Sequence, residues 1–418
     1  MNDPLTGLLQ SPGVTRLFDV LETDGDQLWL VGGCVRNALL NEPHGDLDFA
    51  TQAEPKTVME RAEAAGLKAA PTGIDHGTVT VIVDHVPFEV TTLRRDVETD
   101  GRRAVVAFSR DFAEDAARRD FTMNALYVDR QAQLHDPRDG LADLEARRVR
   151  FIGDAGERLR EDYLRALRFF RFYGWYGHGA PDREAVRAIV ANKSGLEGLS
   201  AERVWSELKK LLAAPNVTRA LLWMRQTGVY QIMLPESGDM DGFARFMRLE
   251  EAARITPDPL LRLLALLPLR RPDAETVLAG LSSRLKLSGA ERDRLMDAAN
   301  LYHTLDLASL EDAKARRAVF YQHRPSAVLD AALVLASHGL DADPESALPS
   351  DTVDLLVALR EDASAWKKPS LPISGQDLID RGIPTGPQVG EALKMMEGAW
   401  VASDFSLSRE DLLAVLKT

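Results

Sequence analysis

The chain has 418 residues, 45% of them hydrophobic and 28% charged, which leaves room for roughly two to four domains with substantial cores. Its 64 acidic and 51 basic side chains give a net charge of −13. This excludes a uniformly basic nucleic-acid binder, so contacts to phosphate must come from local clusters of cations.

One cysteine excludes an intramolecular disulfide and a cysteine-cluster zinc site. The stretch Met1 to Val14 has neither a basic start nor a long apolar run, and a cytoplasmic protein is expected. The first strong signal is the apolar run Leu28-Trp29-Leu30-Val31, which predicts a buried strand running straight into Gly32-Gly33. Two residues without a Cβ let the backbone turn tightly and offer N–H groups to an anion, such as a triphosphate, where a helix begins near Cys34. Cys34 reads as a small packing residue. Arg36, a turn further on, adds a permanent charge with bidentate geometry. No Walker-type loop occurs, and no Gly-x-Gly-x-x-Gly element follows a strand. Asp46-Leu47-Asp48 comes next. On a strand its two aspartates share one face while Leu47 points back to a core. Carboxylates so close repel, and a pair of hard oxygen ligands suits Mg²⁺, which bridges protein carboxylates to substrate phosphates.

Thr78 to Val83 alternates strand-forming residues, Asp84-His85 makes a turn, and Pro87 to Leu93 returns as a second strand. Phe88 and Val90 share one face of that return strand, with Glu89 on the other. If the hairpin pairs beside the Asp46 strand, Glu89 completes a triad. It can then take the proton from an attacking hydroxyl while metal ions hold the attacking and leaving oxygens in line. From Arg94 to Arg119 seven arginines meet six acids in a polar stretch centred on Asp100-Gly101, whereas Arg158 to Arg171 holds five arginines and two acids. The second stretch is a local basic face. In it Asp162, Arg165, Arg168 and Arg171 recur every third residue, which stacks neighbours along a helix surface beside Leu164, Leu167 and Phe170.

Strand and helix signals alternate up to about Phe151, and everything after Gly156 reads as helices joined by short turns. Val204, Leu208, Leu211 and Leu212 fall on one helical face, with Glu207 read as structural. The most apolar helical segment, around Leu260 to Leu269, is interrupted by Arg262 and is too short to span a bilayer. Leu340 to Asp351, rich in Asp, Pro and Ser, reads as a hinge. Gly386-Pro387 suits a helix start whose exposed N–H groups can hold an RNA phosphate. The eight histidines are scattered and form no His-Asp dyad, so no phosphohydrolase activity is expected.

Five elements stand in order: Gly32-Gly33-Cys34-Val35-Arg36, Asp46-Leu47-Asp48, Gly73-Ile74-Asp75-His76-Gly77-Thr78, Arg118-Arg119-Asp120-Phe121-Thr122-Met123-Asn124-Ala125, and Glu161-Asp162-Tyr163-Leu164-Arg165-Ala166-Leu167-Arg168. Together they resemble the motif series of the class II tRNA nucleotidyltransferases, the CCA-adding enzymes, whose catalytic head is shared with bacterial poly(A) polymerases. The resemblance is close from about residue 25 to 235 and looser beyond. Asn37 departs from it, standing where the family usually has aspartate, and tuning of the adjacent loop is expected there.

The resemblance implies an α+β protein. A polymerase β-like, mixed-sheet nucleotidyltransferase head would occupy residues 1–151, a neck of base-recognising helices 152–213, a helical body 214–340 and a helical, tRNA-binding tail 341–418. It implies template-independent addition of CCA to the 3′ end of tRNA from CTP and ATP, with pyrophosphate released. Asp46 and Asp48 would bind the metal ions, Mg²⁺ by expectation, and Glu89 would assist deprotonation. Gly33, Arg36, Arg119, Asp162, Arg165, Arg168 and Arg171 would contact the nucleotide.

Asp162 and Arg165 become a protein template for the incoming base. Cytosine and adenine each show an amino donor beside a ring-nitrogen acceptor, which matches a carboxylate next to a guanidinium. Guanine and uracil would oppose like to like and leave buried groups unpaired. Asp120 either accepts from a ribose hydroxyl or caps the following helix, and His76 organises its loop. The stretch between Arg94 and Arg118 looks like the family's flexible loop, associated with switching from CTP to ATP. A poly(A) polymerase or an enzyme adding only the final adenosine is the alternative within this chemistry, and a non-catalytic RNA-binding protein the alternative outside it.

Overall fold

The computed structural model describes residues 4–100, 103–238, 240–340, 343 and 346–415. Its strands are β1 (Leu28–Val31), β2 (Asp48–Thr51), β3 (Lys68–Gly73), β4 (Thr78–Val83), β5 (Val86–Thr92), β6 (Arg94–Asp100), β7 (Arg103–Phe108), β8 (Tyr127–Val128) and β9 (Leu134–His135). Seven of them make one sheet in the order β3-β4-β5-β2-β1-β8-β9, and β6 and β7 pair separately. Only β2 beside β5 runs parallel.

The predicted hairpin is present. Asp84 and His85 carry φ of 49° and 68° at its turn, the positive values that let a tight hairpin follow the strand twist. Val79, Val81 and Val83 are buried on β4 and Phe88 and Val90 on β5, so Glu89 faces away from the core. Trp29, Val31, Ala50, Leu93 and Tyr127 close a buried cluster on the β1 side of the sheet.

Two expectations about this region need correction. Asp46 is not on a strand: β2 begins at Asp48, and Asp46 lies in an exposed bend before it. The reason is that β1 pairs with β2 only from Leu30↔Phe49 to Leu28↔Thr51. Beyond Val31 the chain turns away at Gly32, whose φ is 78°, so nothing extends the ladder to Leu47 or Asp46. The stretch expected as a loop between Arg94 and Arg118 folds as the β6–β7 hairpin, running from Arg94↔Phe108 to Asp100↔Arg103, followed by the helix Phe112–Ala117. Its expected centre, Gly101, lies outside the described residues.

Past the sheet the chain is helical. The helix Leu164–Tyr176 buries Leu164, Leu167 and Phe170, as its pattern requires, and also Phe169, Phe172 and Tyr173. Phe121 joins it to the sheet side: its ring centroid lies 5.0 Å from both Phe151 and Phe172, a spacing at which aromatic pairs attract. Helices Ala201–Leu212 and Val217–Thr227 both pack on it. Gly174 makes the close approach possible, since a Cβ there would stand 3.1 Å from that of Ala214.

By internal contacts the chain forms two compact units, Met1–Pro235 and Glu236–Thr418. Neither the 213/214 nor the 340/341 boundary coincides with that division. Part of the expected hinge, residues 341, 342, 344 and 345, lies outside the described residues.

In the second unit, helix Pro325–Gly339 packs against Met240–Ala252 and Gly289–Thr304. A separate cluster gathers Tyr321, Ile373, Leu378, Met396, Trp400, Leu412 and Leu413. Helix Pro387–Ala402 starts after Gly386, as expected. Among the described residues no helix is long and apolar enough to cross a membrane. Arg262, the charge within the apolar run, is buried and holds Glu250 at 2.6 Å. Glu250→Ala removes the carboxylate bonded to this buried guanidinium and should destabilise the Glu236–Thr418 unit by about 1.5–3 kcal/mol, the scale of a hydrogen bond to a charged group, read from the midpoint of its urea transition.

Candidate active site

β1 ends in Gly32, and helix Gly33–Leu39 starts at once, which brings Arg36 back beside the end of the strand. Arg36 is buried and every bond it makes goes to a neutral acceptor. Its Nη1 donates to Asn124 Oδ1 (2.5 Å), its Nη2 to Tyr176 Oη (2.8 Å) and Asn37 Oδ1 (2.8 Å), and its Nε to the same Asn37 oxygen (3.0 Å). Its guanidinium also lies 4.1 Å from the Tyr176 ring centroid. Burial lowers its pKa, with Tyr176 opposing the shift.

Helix Phe112–Ala117 carries Asp115, buried at its end, which gathers Arg118 (2.6 Å), Arg119 (3.0 Å) and the Tyr127 hydroxyl (2.7 Å). That arrangement aims Arg119 at the glycine turn, where a Cβ on Gly32 would lie 3.7 Å from Arg119 Nη1.

Asp120 is buried next to it. Its Oδ2 accepts from Arg168 Nε (2.8 Å) and Nη2 (2.5 Å), and its Oδ1 from the Phe121 N–H (2.9 Å) and Asn124 Nδ2 (3.0 Å). Burial alone would raise its carboxyl, but Arg168 and Asn124 outweigh burial and hold the pKa below the usual range. The expected capping is not what it does: the following short helix Thr122–Asn124 has Phe121 at its N-cap and no side-chain cap, and Asp120 instead holds the Phe121 N–H and an ion pair. Arg168 in turn lies 3.7 Å from Glu207, which pairs with Arg171 at 2.6 Å.

Asp162 requires a correction. It does not share a helix with Arg165, Arg168 and Arg171, because helix Ala155–Glu161 ends before it and Leu164–Tyr176 begins after Tyr163. Its backbone is extended (φ −157°, ψ 105°), and its Oδ1 accepts from the Leu164 N–H at 3.1 Å. A short acid just ahead of a helix satisfies free N–H groups more readily than it continues the previous helix. Its Oδ2 accepts from Arg203 Nη2 at 2.6 Å. Arg165 pairs with Glu161 through Nη1, which also donates to the Arg158 carbonyl at 3.1 Å.

These groups surround a cavity of about 530 Å³, lined by Gly32, Gly33, Arg36, Asp48, Arg119, Asp120 and Asn124 from the sheet side and by Asp162, Arg165, Arg168, Phe172 and Arg203 from the helices. Of the expected site residues, Gly33, Arg36, Asp48, Arg119, Asp162, Arg165 and Arg168 are thus brought together. Arg171 is outside the lining, paired to Glu207 and 4.4 Å from the Phe172 ring centroid. Asp46 and Glu89 are exposed and also outside it. Asn124, which lies within the fourth sequence element, and Arg203, Asp115 and Tyr176, which were not singled out, are part of the arrangement. Asn37 contacts the loop that follows: its Nδ2 donates to the Pro43 carbonyl at 2.7 Å.

Asp48 stands opposite Glu89 in the parallel register of β2 and β5. Burial raises its pKa to about 6, Glu89 and Asp46 push the same way, and Arg119 opposes them. Glu89 and Asp46 are thus near enough for their charges to be felt at Asp48. Among the described residues no three His, Cys, Asp or Glu side chains close into a cage. Asp48, with the carboxylates of Asp46 and Glu89 near it, would offer a hard divalent cation oxygen ligands, to be completed by substrate phosphates and water.

A carboxyl whose pKa is raised by folding costs stability once ionised, and protonation below about 6 relieves that cost. Asp48→Asn should therefore raise the thermal midpoint of the metal-free protein at pH 7.5. For the parent protein, Mn²⁺ affinity followed by electron paramagnetic resonance should fall by up to about tenfold per pH unit below about 6.

Comparison with known proteins agrees with this geometry. The family described as Poly A polymerase head domain matches residues 28–150, and the one described as probable RNA and SrmB-binding site of polymerase A matches 180–240. The mitochondrial CCA tRNA nucleotidyltransferase 1 of Danio rerio is 32% identical over 417 residues, covering 98% of this chain and 91% of that protein. A CCA-adding enzyme of Streptococcus pneumoniae serotype 19F is 30% identical over 404 residues, covering 96% of each. The crystal structure of the Bacillus stearothermophilus CCA-adding enzyme in complex with CTP superposes with a TM-score of 0.68 at 30% identity, covering 97% of this chain and 94% of that one. A fold, a cavity and full-length relatives that agree in this way identify the chain as a member of the CCA tRNA nucleotidyltransferase family.

Proposed function

We propose that this protein adds CCA to the 3′ end of tRNA from CTP and ATP, without a nucleic-acid template, in the cavity that joins Asp48 to Asp162 and Arg165. The observation that carries this reading is the cavity itself, in which an acid suited to a cation and an acid–guanidinium pair suited to a base line one space. A volume of about 530 Å³ lies in the range of small-molecule sites.

Gly33, Arg36, Arg119 and Arg168 supply the positive side of that space to the triphosphate. Asp46 and Asp48 would hold Mg²⁺, which when bound would offset the charge on the attacking and leaving oxygens. The terminal ribose hydroxyl attacks the α-phosphorus. A new P–O bond forms, the bond to the bridging oxygen breaks, and pyrophosphate leaves. Glu89, in register beside Asp48, is the group assigned to accept the hydroxyl proton.

Base choice rests on Asp162 and Arg165. Each Asp162 oxygen accepts one bond from the protein and retains a lone pair for an amino group. Arg165 spends Nη1 on Glu161 and Arg158, and its other nitrogens carry no bond among the described residues. Arg203 and Glu161 hold the two template groups in place before a base arrives. Arg171, outside the lining, braces Glu207 in this reading. The division into head, neck, body and tail, with the tail gripping tRNA, belongs to the same proposal, as does a cytoplasmic location.

The test is end-resolved extension of a tRNA transcript lacking CCA, with purified protein and Mg²⁺. Two additions with CTP alone and three with CTP and ATP are expected. An open-ended adenosine ladder would make it a poly(A) polymerase, and extension only of a substrate already ending in CC a terminal adenosine-adding enzyme. Asp46→Ala should abolish incorporation while leaving tRNA retention in a filter assay within about twofold, since tRNA binding rests on phosphate contacts elsewhere. Arg165→Ala should lose discrimination against GTP and UTP by at least about tenfold in kcat/KM, the scale of one unpaired buried polar group.

A further inference from the structure

Arg36 and the loop that carries Asp46 are joined by one side chain. The guanidinium of Arg36 donates through both Nε and Nη2 to the Oδ1 of Asn37, and Asn37 Nδ2 donates to the Pro43 carbonyl at 2.7 Å. The orientation of the amide is settled by its surroundings: a guanidinium only donates and a carbonyl only accepts, so the oxygen must face Arg36 and the nitrogen Pro43. The backbone strengthens the link, because the Asn37 carbonyl accepts from the Glu42 N–H at 2.9 Å.

Residues 41–46 are exposed, and among the described residues no other side-chain hydrogen bond reaches them. Two residues beyond this loop the chain enters β2 at Asp48. On the other side, Arg36 is locked to Asn124 and Tyr176, and Asn124 to Asp120. Asn37 is thus the point at which the arginine side of the cavity meets the aspartate side.

We propose that Asn37 is a positioning residue that couples the two halves of the site: it holds the loop before Asp46 in register with Arg36, so that the metal-binding and triphosphate-binding groups are set together. The inference rests on the assignment of Asp46 and Asp48 to a divalent cation and of Arg36 to the triphosphate. In this chain the amide serves both contacts. Aspartate keeps the acceptor for Arg36 but turns an oxygen towards the Pro43 carbonyl, where it repels.

That difference gives the test a sign. In Asn37→Asp an added negative charge near the site would by itself tighten binding of a cation, whereas loss of the loop tie would weaken it. Mn²⁺ affinity, measured by electron paramagnetic resonance on the full chain without tRNA, should fall by about fivefold, the scale of one hydrogen bond. Amide exchange across residues 41–46 should quicken while the helix Leu164–Tyr176 is unchanged. Unchanged or tighter Mn²⁺ binding overturns the proposal.

A second measurement needs no variant: in the parent protein with EDTA present, CTP should slow exchange across residues 41–46, and no change there also overturns it. The CCA assay on the parent protein keeps the two readings apart. A parent that adds no CMP removes the nucleotide site on which the inference stands, whereas an active parent with a variant that binds Mn²⁺ equally well removes only the role of Asn37.

Discussion

The ion pair between buried Asp120 and half-buried Arg168 is the constraint on which the site depends. Asp120 belongs to the segment that leaves the sheet side and Arg168 to the helix Leu164–Tyr176, so this contact, at 2.5 Å, fixes the distance between the two walls of the cavity. The carboxylate has no idle oxygen. Besides Arg168 it accepts from Phe121 N–H and Asn124, and Asn124 passes the arrangement on to Arg36. Arg168 extends it the other way to Glu207. Loss of Arg168 would leave the buried Asp120 carboxylate without its charge partner, whereas loss of Asp120 would leave the half-buried Arg168 with Glu207. Arg168 also lies 5.7 Å from the ring centroid of Phe172, which packs with Phe121 and through it with Phe151 and Phe169.

The same logic reconciles an acidic chain with an anionic substrate. Five arginines, Arg36, Arg119, Arg165, Arg168 and Arg203, line the cavity against three aspartates, Asp48, Asp120 and Asp162. The space is therefore locally positive in a chain of net charge −13. The aspartates divide the work. Asp120 and Asp162 accept from arginines and shape the wall. Asp48 accepts from none of them directly, and burial and its acidic neighbours raise its pKa to about 6. In the proposed reading that difference marks Asp48 for the cation and the other two for the scaffold.

Much of this was legible in consecutive residues. The run Leu28-Trp29-Leu30-Val31, the turn at Gly32 and the hairpin around Asp84-His85 all form as their local patterns require. The condition set for Glu89, that the hairpin lie beside the strand of Asp48, is met by the Asp48↔Glu89 register, while Glu89 itself stays outside the cavity lining. Patterns misled where a short period was extended past its element. The Asp-x-Asp spacing implied a strand that has no ladder partner at Asp46, and the three-residue spacing from Asp162 implied a helix that begins only after Tyr163.

What the sequence determined alone was the set of elements and the chemistry available to each, because strand alternation, helix starts and glycine turns depend on neighbours within a few residues. Only the tertiary structure decided which charges meet. Asp162 and Arg203 are 41 residues apart, Asp120 and Arg168 48, and Arg36 and Asn124 88. No local preference encodes such pairs. They follow from how the buried faces of the sheet and the helices pack, and packing leaves each buried polar group only the partners that the fold happens to bring within reach.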